Sequence, residues 1–222
     1  MRNNEGKTIS DKVEMQQGEP AAERRTQQQR RVETRSKLIE AAIDLIRQNG
    51  AASLTTMGVA KAAGLTRGAI QYHFKDPKDL LREVIVEVVH FLSGLVVDAD
   101  LLKYEKEERI TSLIDLYWKG YQSDTYQIFI DIAVQGRRDP ALKQSIEEAL
   151  IVLEKERNDQ WLGLFHDFDQ NAEEILSWRS TLLGLLRGLA LKQMFASTSE
   201  DMDAQFKVSK EMFKLYIQSR VK

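Results

Sequence analysis

One short segment of the chain carries side chains that can bind nucleic acid. Its polar side chains are a cation, an amide, a phenol and an imidazole: Arg67, Gln71, Tyr72 and His73. Ile70 and Phe74 lie four residues apart, so on a helix they point to one side and leave the polar side chains on the other. All four polar groups can donate hydrogen bonds to phosphates or base edges. The segment therefore predicts a helix with a DNA-contacting face.

Capping signals predict two short helices that hold this face. Thr56 is placed to cap a first helix, Gly64 stands where a left-handed residue ends it, and Thr66 can cap the second helix. Seven-residue helices are not stable alone, so packing must hold them. Small side chains permit a close crossing of the two helices: Ala60, Ala63 and Ala69. The pattern predicts a helix-turn-helix, and the alternative is an ordinary helical hairpin in a core.

A local cluster of basic residues favours the DNA-binding interpretation. The cations lie before, within and after the helix pair: Arg35, Lys37, Lys61, Lys75, Lys78 and Arg82. The formal net charge of the chain is -2, so the total charge gives no attraction to DNA and only such clustering can.

The same segment resembles a known family. From Leu54 to Leu81 the run T-T-x-x-V-A-x-x-A-G-L-T-R-G-A-I-x-Y-H-F, followed by K-D-P-K-D-L-L, is similar to the DNA-binding domain of tetracycline-repressor (TetR) family regulators. The similarity extends back through residues 35–50. It implies that the second helix lies in the major groove, that the first helix begins at phosphates, and that the remaining chain dimerises and binds a small ligand.

The resemblance and the side-chain chemistry together assign DNA contacts. The expected base-contacting residues are Arg67, Gly68, Ala69, Gln71 and Tyr72. The expected phosphate-contacting residues are Thr55, Thr56, His73, Lys75 and Lys78. The family usually has tyrosine where this chain has Gln71 and lysine where it has Pro77, so Lys75 and Lys78 are expected to supply the missing phosphate contact. Arg67 alone on this face can contact guanine with two hydrogen bonds.

Composition excludes several other classes of protein. The chain has 222 residues, of which 42% are apolar, so it can bury a core. The absence of cysteine excludes disulfides, thiolate metal sites and cysteine nucleophiles. The apolar runs are too short to span a membrane, and the N-terminus lacks a signal-peptide core, which predicts a cytoplasmic protein with no membrane partner.

No catalytic motif is present, so we expect no enzyme and no cofactor. A metal site at His166, Asp167 and Asp169 has poor spacing, and a solvated helix end is the preferred interpretation. We therefore predict no metal.

Helical periodicity without strand-like alternation predicts an all-α chain of about nine helices. Residues 1–33 are polar and are expected to form a disordered arm, 34–81 the DNA-binding domain with the helix-turn-helix at about 55–74, and 82–222 a helical ligand-binding and dimerisation domain. Basic residues of the arm are placed to reach a minor groove, but a solvated tail is the preferred interpretation: Arg24, Arg25, Arg30 and Arg31.

The eighth predicted helix is rich in leucine on more than one face, with Gly184 and Gly188 one turn apart. A helix that is apolar all round must be buried all round, which predicts a homodimer; the alternative is a central helix in a large monomer. The expected interface residues are Leu182, Gly184, Leu185, Gly188, Phe206 and Phe213.

Aromatic and polar side chains of the middle helices are candidates for a ligand pocket, although core packing is the default interpretation of such aromatics. They are Trp118, Tyr121, Gln122, Phe129, Gln135, Trp161, Phe165, Trp178 and Arg179. We thus expect a dimeric repressor that binds an inverted-repeat, double-stranded DNA operator and is released by a small-molecule effector. The alternative is an effector-independent, nucleoid-associated structural DNA-binding dimer, in which the pocket would be filled.

Overall fold

The computed structural model describes residues 26–195 and 199–220, and within these ranges it contains nine α-helices and no strand. This confirms the predicted all-α class. The first three helices are α1 (Gln27–Asn49), α2 (Thr56–Ala62) and α3 (Arg67–His73). The remaining helices are α4 (Pro77–Val97), α5 (Lys106–Tyr121), α6 (Asp124–Gly136), α7 (Pro140–Leu164), α8 (Ala172–Gln193) and α9 (Ser199–Arg220).

Helix α1 begins at Gln27, which corrects the predicted disordered arm at its end nearest the DNA-binding domain. A capping box starts the helix: Thr26 Oγ1 accepts from the Gln29 amide, and Gln29 Oε1 accepts from the Thr26 amide at 2.7 Å. Few apolar residues precede Thr34, and that scarcity alone predicts no ordered structure. The first two turns of α1 are exposed, so they need only the cap and the continuing helix. Residues 1–25, with Arg24 and Arg25, lie outside the described ranges.

Helix α4 connects the two predicted domains. It begins as the Asp76-Pro77 pair predicts, with Asp76 capping the Lys78 amide and proline in the first turn. Its length is about 30 Å at 1.5 Å per residue. It packs against α1 near its start and against α5, α6 and α7 further along, and residues along its whole length are buried: Leu80, Val84, Ile85, Val88, Leu92 and Val96. Helix α4 is thus a continuous, largely buried element that belongs to both domains.

Helices α5–α9, here called the body, are held by an aromatic core and by an ion pair whose arginine is buried. Trp161, Phe165 and Trp178 are each almost wholly buried and contact one another in series. Buried Arg109 donates to Asp167 at 2.6 Å and to the Leu164 carbonyl at 2.7 Å. Asp167 therefore ties down the end of α7, which corrects its interpretation as simply solvated.

None of the described helices is long and apolar enough to cross a membrane.

Candidate nucleic-acid interface

The first helix of the pair is fixed by its cap and by two buried residues. Thr55, in an extended conformation, accepts from the Gly58 amide through its hydroxyl at 3.1 Å. The N-cap is therefore Thr55, and the predicted cap at Thr56 is wrong by one residue because adjacent threonines offer the same signal. Val59 and Ala60 are buried, and α2 leads to Gly64, whose φ of 66° confirms the left-handed residue expected in the turn.

The second helix presents the expected polar face. Thr66 caps it by accepting from the Ala69 amide at 3.2 Å, as its position predicts. Ile70 and Phe74 are buried beneath the helix, with exposures of 0% and 3%. Four of the expected base-contacting residues are exposed: Arg67, Gly68, Gln71 and Tyr72; Ala69 is half-buried. The two buried anchors fix the rotation of α3 and so fix which side chains face outward.

Helix α1 contributes two arginines to this face. The Arg31 guanidinium lies 5.7 Å from the centre of the Tyr72 ring, and that of Arg35 lies 5.5 Å from the centre of the Phe74 ring. Arg35 also pairs with Glu83. Burial, then Arg31 and Arg35, hold the pKa of His73 below its usual value. His73 is thus neutral at pH 7 and offers phosphate a hydrogen bond rather than a charge.

The side chains expected to contact phosphate differ in their exposure and in whether another group already binds them. Thr55 and Lys75 are exposed and Thr56 is half-buried. Lys78 already has a partner, since its Nζ lies 2.9 Å from Oδ2 of Asp139, the capping residue of α7. That hydrogen bond raises the pKa of Lys78 and lowers the pKa of Asp139. The ion pair joins the start of α4 to the body across 61 residues of sequence, and sequence analysis missed it.

The residues expected in a ligand pocket do not all meet. Trp118 stacks on Phe206 with ring centres 4.8 Å apart, and Trp161, Phe165 and Trp178 form the aromatic core. Gln122 donates to Gln193 at the surface, and Gln135 is half-buried near the end of α6. Core packing, the default interpretation, accounts for the three buried rings.

A cavity of about 140 Å³ lies between α4, α6, α7 and α8. Two of the expected pocket residues, Tyr121 and Phe129, line it. Arg179 is buried beside it, where it pairs with the cavity-lining Glu154. Sequence analysis missed Arg157 and Arg187, which also line the cavity. A signal for Arg157 exists, because this charged residue stands four residues from buried Leu153 and four from buried Trp161, on an apolar stripe.

The expected interface residues divide into two groups. Gly184, Leu185 and Gly188 are exposed on α8. Leu182 and Phe213 are buried within the protomer, and Phe206 is half-buried against Trp118. Further exposed apolar side chains of α8 and α9 extend the surface: Leu191, Met212, Leu215 and Tyr216. In the described residues, no group of three or more histidine, aspartate or glutamate side chains is arranged to hold a metal ion.

Comparisons with known proteins agree with this geometry. Residues 38–84 match the model of the bacterial regulatory proteins of the tetR family. The HTH-type transcriptional regulator CymR of Pseudomonas putida is 32% identical over 189 residues, which are 80% of this chain and 87% of that protein.

Solved structures show the same fold across most of the chain. A putative TetR-family regulator from Mesorhizobium loti superposes with a TM-score of 0.65 at 18% identity, over 83% of this chain and 96% of that one. The regulator FadR from Bacillus subtilis, solved in complex with stearoyl-CoA, gives 0.59 at 18% identity, over 80% and 96%. These relatives regulate transcription, and the chain is accordingly not an enzyme. The helix-turn-helix, the all-helical body and the 32% identity over 87% of CymR lead to one conclusion: the chain belongs to the TetR family of bacterial transcriptional regulators.

Proposed function

We propose that the chain is a cytoplasmic repressor that binds an inverted-repeat operator as a homodimer and leaves it when a small molecule binds the body. The observation that carries the proposal is the exposed face of α3, held outward by buried Ile70 and Phe74. Arg67 is suited on this face to make a paired hydrogen bond to guanine. Tyr72, which is 68% exposed, is suited to contact a thymine methyl group or a sugar.

The surface of α8 and α9 supports dimerisation. Gly184 and Gly188 have no atom within 4 Å of the position where a Cβ would stand, so each is open to an approaching helix. The neighbouring exposed side chains are apolar, with Met212 at 66% and Leu215 at 61% exposure. A two-fold dimer through this surface would bury these side chains. It would also place the two α3 helices ~34 Å apart, so that they can enter successive major grooves.

The cavity supports release by an effector. Val89 and Leu92 of α4 line it, and the first turn of the same helix follows the DNA-binding pair. The DNA-binding helices α1–α3 are here called the head. A molecule that fits the cavity only when α4 is displaced would favour one distance between the two heads of the dimer over another. The effector-independent alternative requires a filled core at this place, so the cavity favours the repressor.

Operator selection from random duplexes tests the proposal. We expect the full chain to enrich an inverted repeat and to sediment as a dimer alone and on that DNA. Enrichment of a single half-site, or a monomer at micromolar concentration, would contradict it. Binding that is equal for all duplexes would support the structural alternative instead.

A further inference from the structure

The cavity has the size and walls for one ring. Its volume is about 140 Å³, close to the ~150 Å³ of an apolar protein cavity that binds benzene. Apolar side chains of α4, α6 and α7 face it: Val89, Leu92, Phe129 and Leu150. Tyr121 and Tyr126 add two further rings, which contact each other edge to face with their centres 4.6 Å apart. An aromatic or compact aliphatic body fits such walls.

The charges at this cavity are unequal, because three arginines share one carboxylate. Glu154 pairs with Arg179, whose Nη1 also donates to Asn158 at 2.8 Å. Arg157 approaches Glu154 no closer than 3.6 Å, which is beyond a hydrogen bond. Only 10% of the Arg157 side chain is exposed, and in the described part of the chain no group accepts a hydrogen bond from its guanidinium. A largely buried cation whose nearest carboxylate lies beyond hydrogen-bond distance is incompletely compensated, so a further anion beside Arg157 would be stabilised.

Arg187 stands on the other wall with an incomplete set of partners. Its Nε donates to Tyr121 Oη at 3.2 Å, and its guanidinium lies 5.6 Å from the centre of that ring. Among the described residues it forms no ion pair. Burial raises the pKa of Tyr126 to about 12, so this phenol stays a neutral donor in physiological conditions. The polar groups left at the cavity are therefore mostly donors.

We infer that the cavity binds a small organic carboxylate, with its anionic group held by Arg157 and Arg187 and its ring-sized apolar body against Val89, Leu92 and Phe129. Guanidinium groups bind carboxylates through paired, charge-assisted hydrogen bonds. Burial, together with Arg179, lowers the pKa of Arg157, and a bound carboxylate would offset that unfavourable environment. The inference names the effector class of the proposed function and rests on that proposal only for the effect on DNA. An inorganic anion shares the charge but leaves the apolar walls unfilled.

Calorimetry on the full chain without DNA tests the site directly. The probes are benzoate, cyclohexanecarboxylate and hexanoate, with benzamide as a neutral analogue of benzoate and inorganic phosphate as the bare anion. We expect at least one carboxylate to bind once per protomer, and benzamide and phosphate to bind at least about tenfold more weakly, because a charged pair is lost in one and the apolar contact in the other.

Arg157→Met is expected to weaken carboxylate binding by about tenfold or more while leaving benzamide unchanged. The matched control is Arg138→Met, which makes the same change at an exposed position after α6 and should bind as the wild type does. If Arg157→Met loses its helical circular dichroism, Arg187→Met takes its place, since that residue is exposed and less needed for packing. Equal binding of benzoate and benzamide, or no binding by any carboxylate at millimolar concentration, would overturn the inference.

Anisotropy on operator DNA separates this inference from the proposed function. A carboxylate that binds through Arg157 but leaves operator affinity unchanged supports the assigned site and contradicts release by an effector. Operator binding that persists while no carboxylate binds supports the DNA-binding proposal and overturns the assigned site.

Discussion

The head and the body of this protein use arginine in opposite settings. On α3, Arg67 is exposed and forms no hydrogen bond or ion pair within the described residues, so its guanidinium is available to a polyanion whose charges lie along a groove. In the body, Arg157 lines the cavity, and buried Arg179 pairs with Glu154, a carboxylate that lines the same cavity. Exposed cations give affinity that falls steeply with salt, whereas buried cations select one small anion by geometry. Under the two proposals made above, the same side-chain type would therefore contact DNA in one region and select a ligand in the other.

If α8 and α9 form the dimer interface, as we propose, operator binding depends on the body, and Gly184→Leu tests this dependence most strongly. We expect the variant to fold but to lose the dimer, since the protomer leaves open space at Gly184 while a partner helix would not. Operator affinity should fall by about 10²-fold or more, because the two half-sites are then bound separately. Sedimentation and anisotropy measure the two effects.

Gly163→Leu is the matched control, because Gly163 is also an exposed helical glycine with no atom within 4 Å of an added Cβ. It should remain dimeric and bind the operator normally. A Gly184→Leu variant that stays dimeric with unchanged melting temperature would remove these glycines from the interface. One that fails to fold would assign them to the core of the protomer.

Arg67→Ala tests the exposed side of the comparison. We expect a loss of ~1–3 kcal/mol on the operator and a relaxed preference at one base pair in each half-site, because a bidentate contact to guanine is removed. Binding to scrambled DNA should change little. Anisotropy on operator variants measures both quantities.

Arg67→Lys is the informative companion, because lysine keeps the charge but cannot make the paired contact. It should lose base preference almost as alanine does. If lysine restores binding, or if alanine weakens operator and scrambled DNA equally, Arg67 contacts phosphate and the assigned reading face is wrong.

The head was readable from sequence because its determinants are local. Thr66, Ile70 and Phe74 fall within one short helix, and their spacing alone orients α3. The body depends on pairs that are distant in the chain, such as Glu154 with Arg179 and Lys78 with Asp139, which only folding brings together. A leucine-rich helix likewise does not reveal which leucines face inward. The sequence therefore does not distinguish Leu182 from Leu185, although Leu182 is buried and Leu185 is 38% exposed.

Lys78 follows the DNA-binding helices but forms an ion pair with Asp139 of the body. The substitution Asp139→Ser tests whether Lys78 contacts DNA or only joins the two domains. Serine keeps a capping oxygen for α7 but removes the carboxylate that holds Lys78. We expect the freed lysine to strengthen binding to all DNA sequences alike and to steepen the dependence of log K on log salt by about one. Salt titrations on operator and scrambled DNA provide the measurement.

The reciprocal change, Lys78→Ala, should weaken binding to all sequences and lower the slope by about one. An unchanged slope in Lys78→Ala, with a lower melting temperature in both variants, would mean that the ion pair persists on DNA. Lys78 would then join the domains without contacting phosphate.

The smallest expected effect concerns His73, where the head has a partly buried group among exposed cations. Its folded pKa is lowered, first by burial and then by Arg31 and Arg35, whereas in the unfolded chain it is ~6.5. The unfolded state therefore binds more protons as the pH falls through this range, so acidification reduces stability and His73→Gln should flatten that loss between pH 7 and pH 5. An NMR titration of the assigned imidazole should show a midpoint below ~6.5 that Arg31→Gln raises.

Operator phosphate near His73 would change the pKa of His73 in the opposite direction, since a negative charge favours the protonated ring. Operator binding by the wild type should then tighten slightly from pH 7 to pH 6, and His73→Gln should lose that tightening. A free-protein midpoint at or above ~6.5 would contradict the assigned environment, and identical pH dependence of wild type and His73→Gln on DNA would remove His73 from the phosphate contacts.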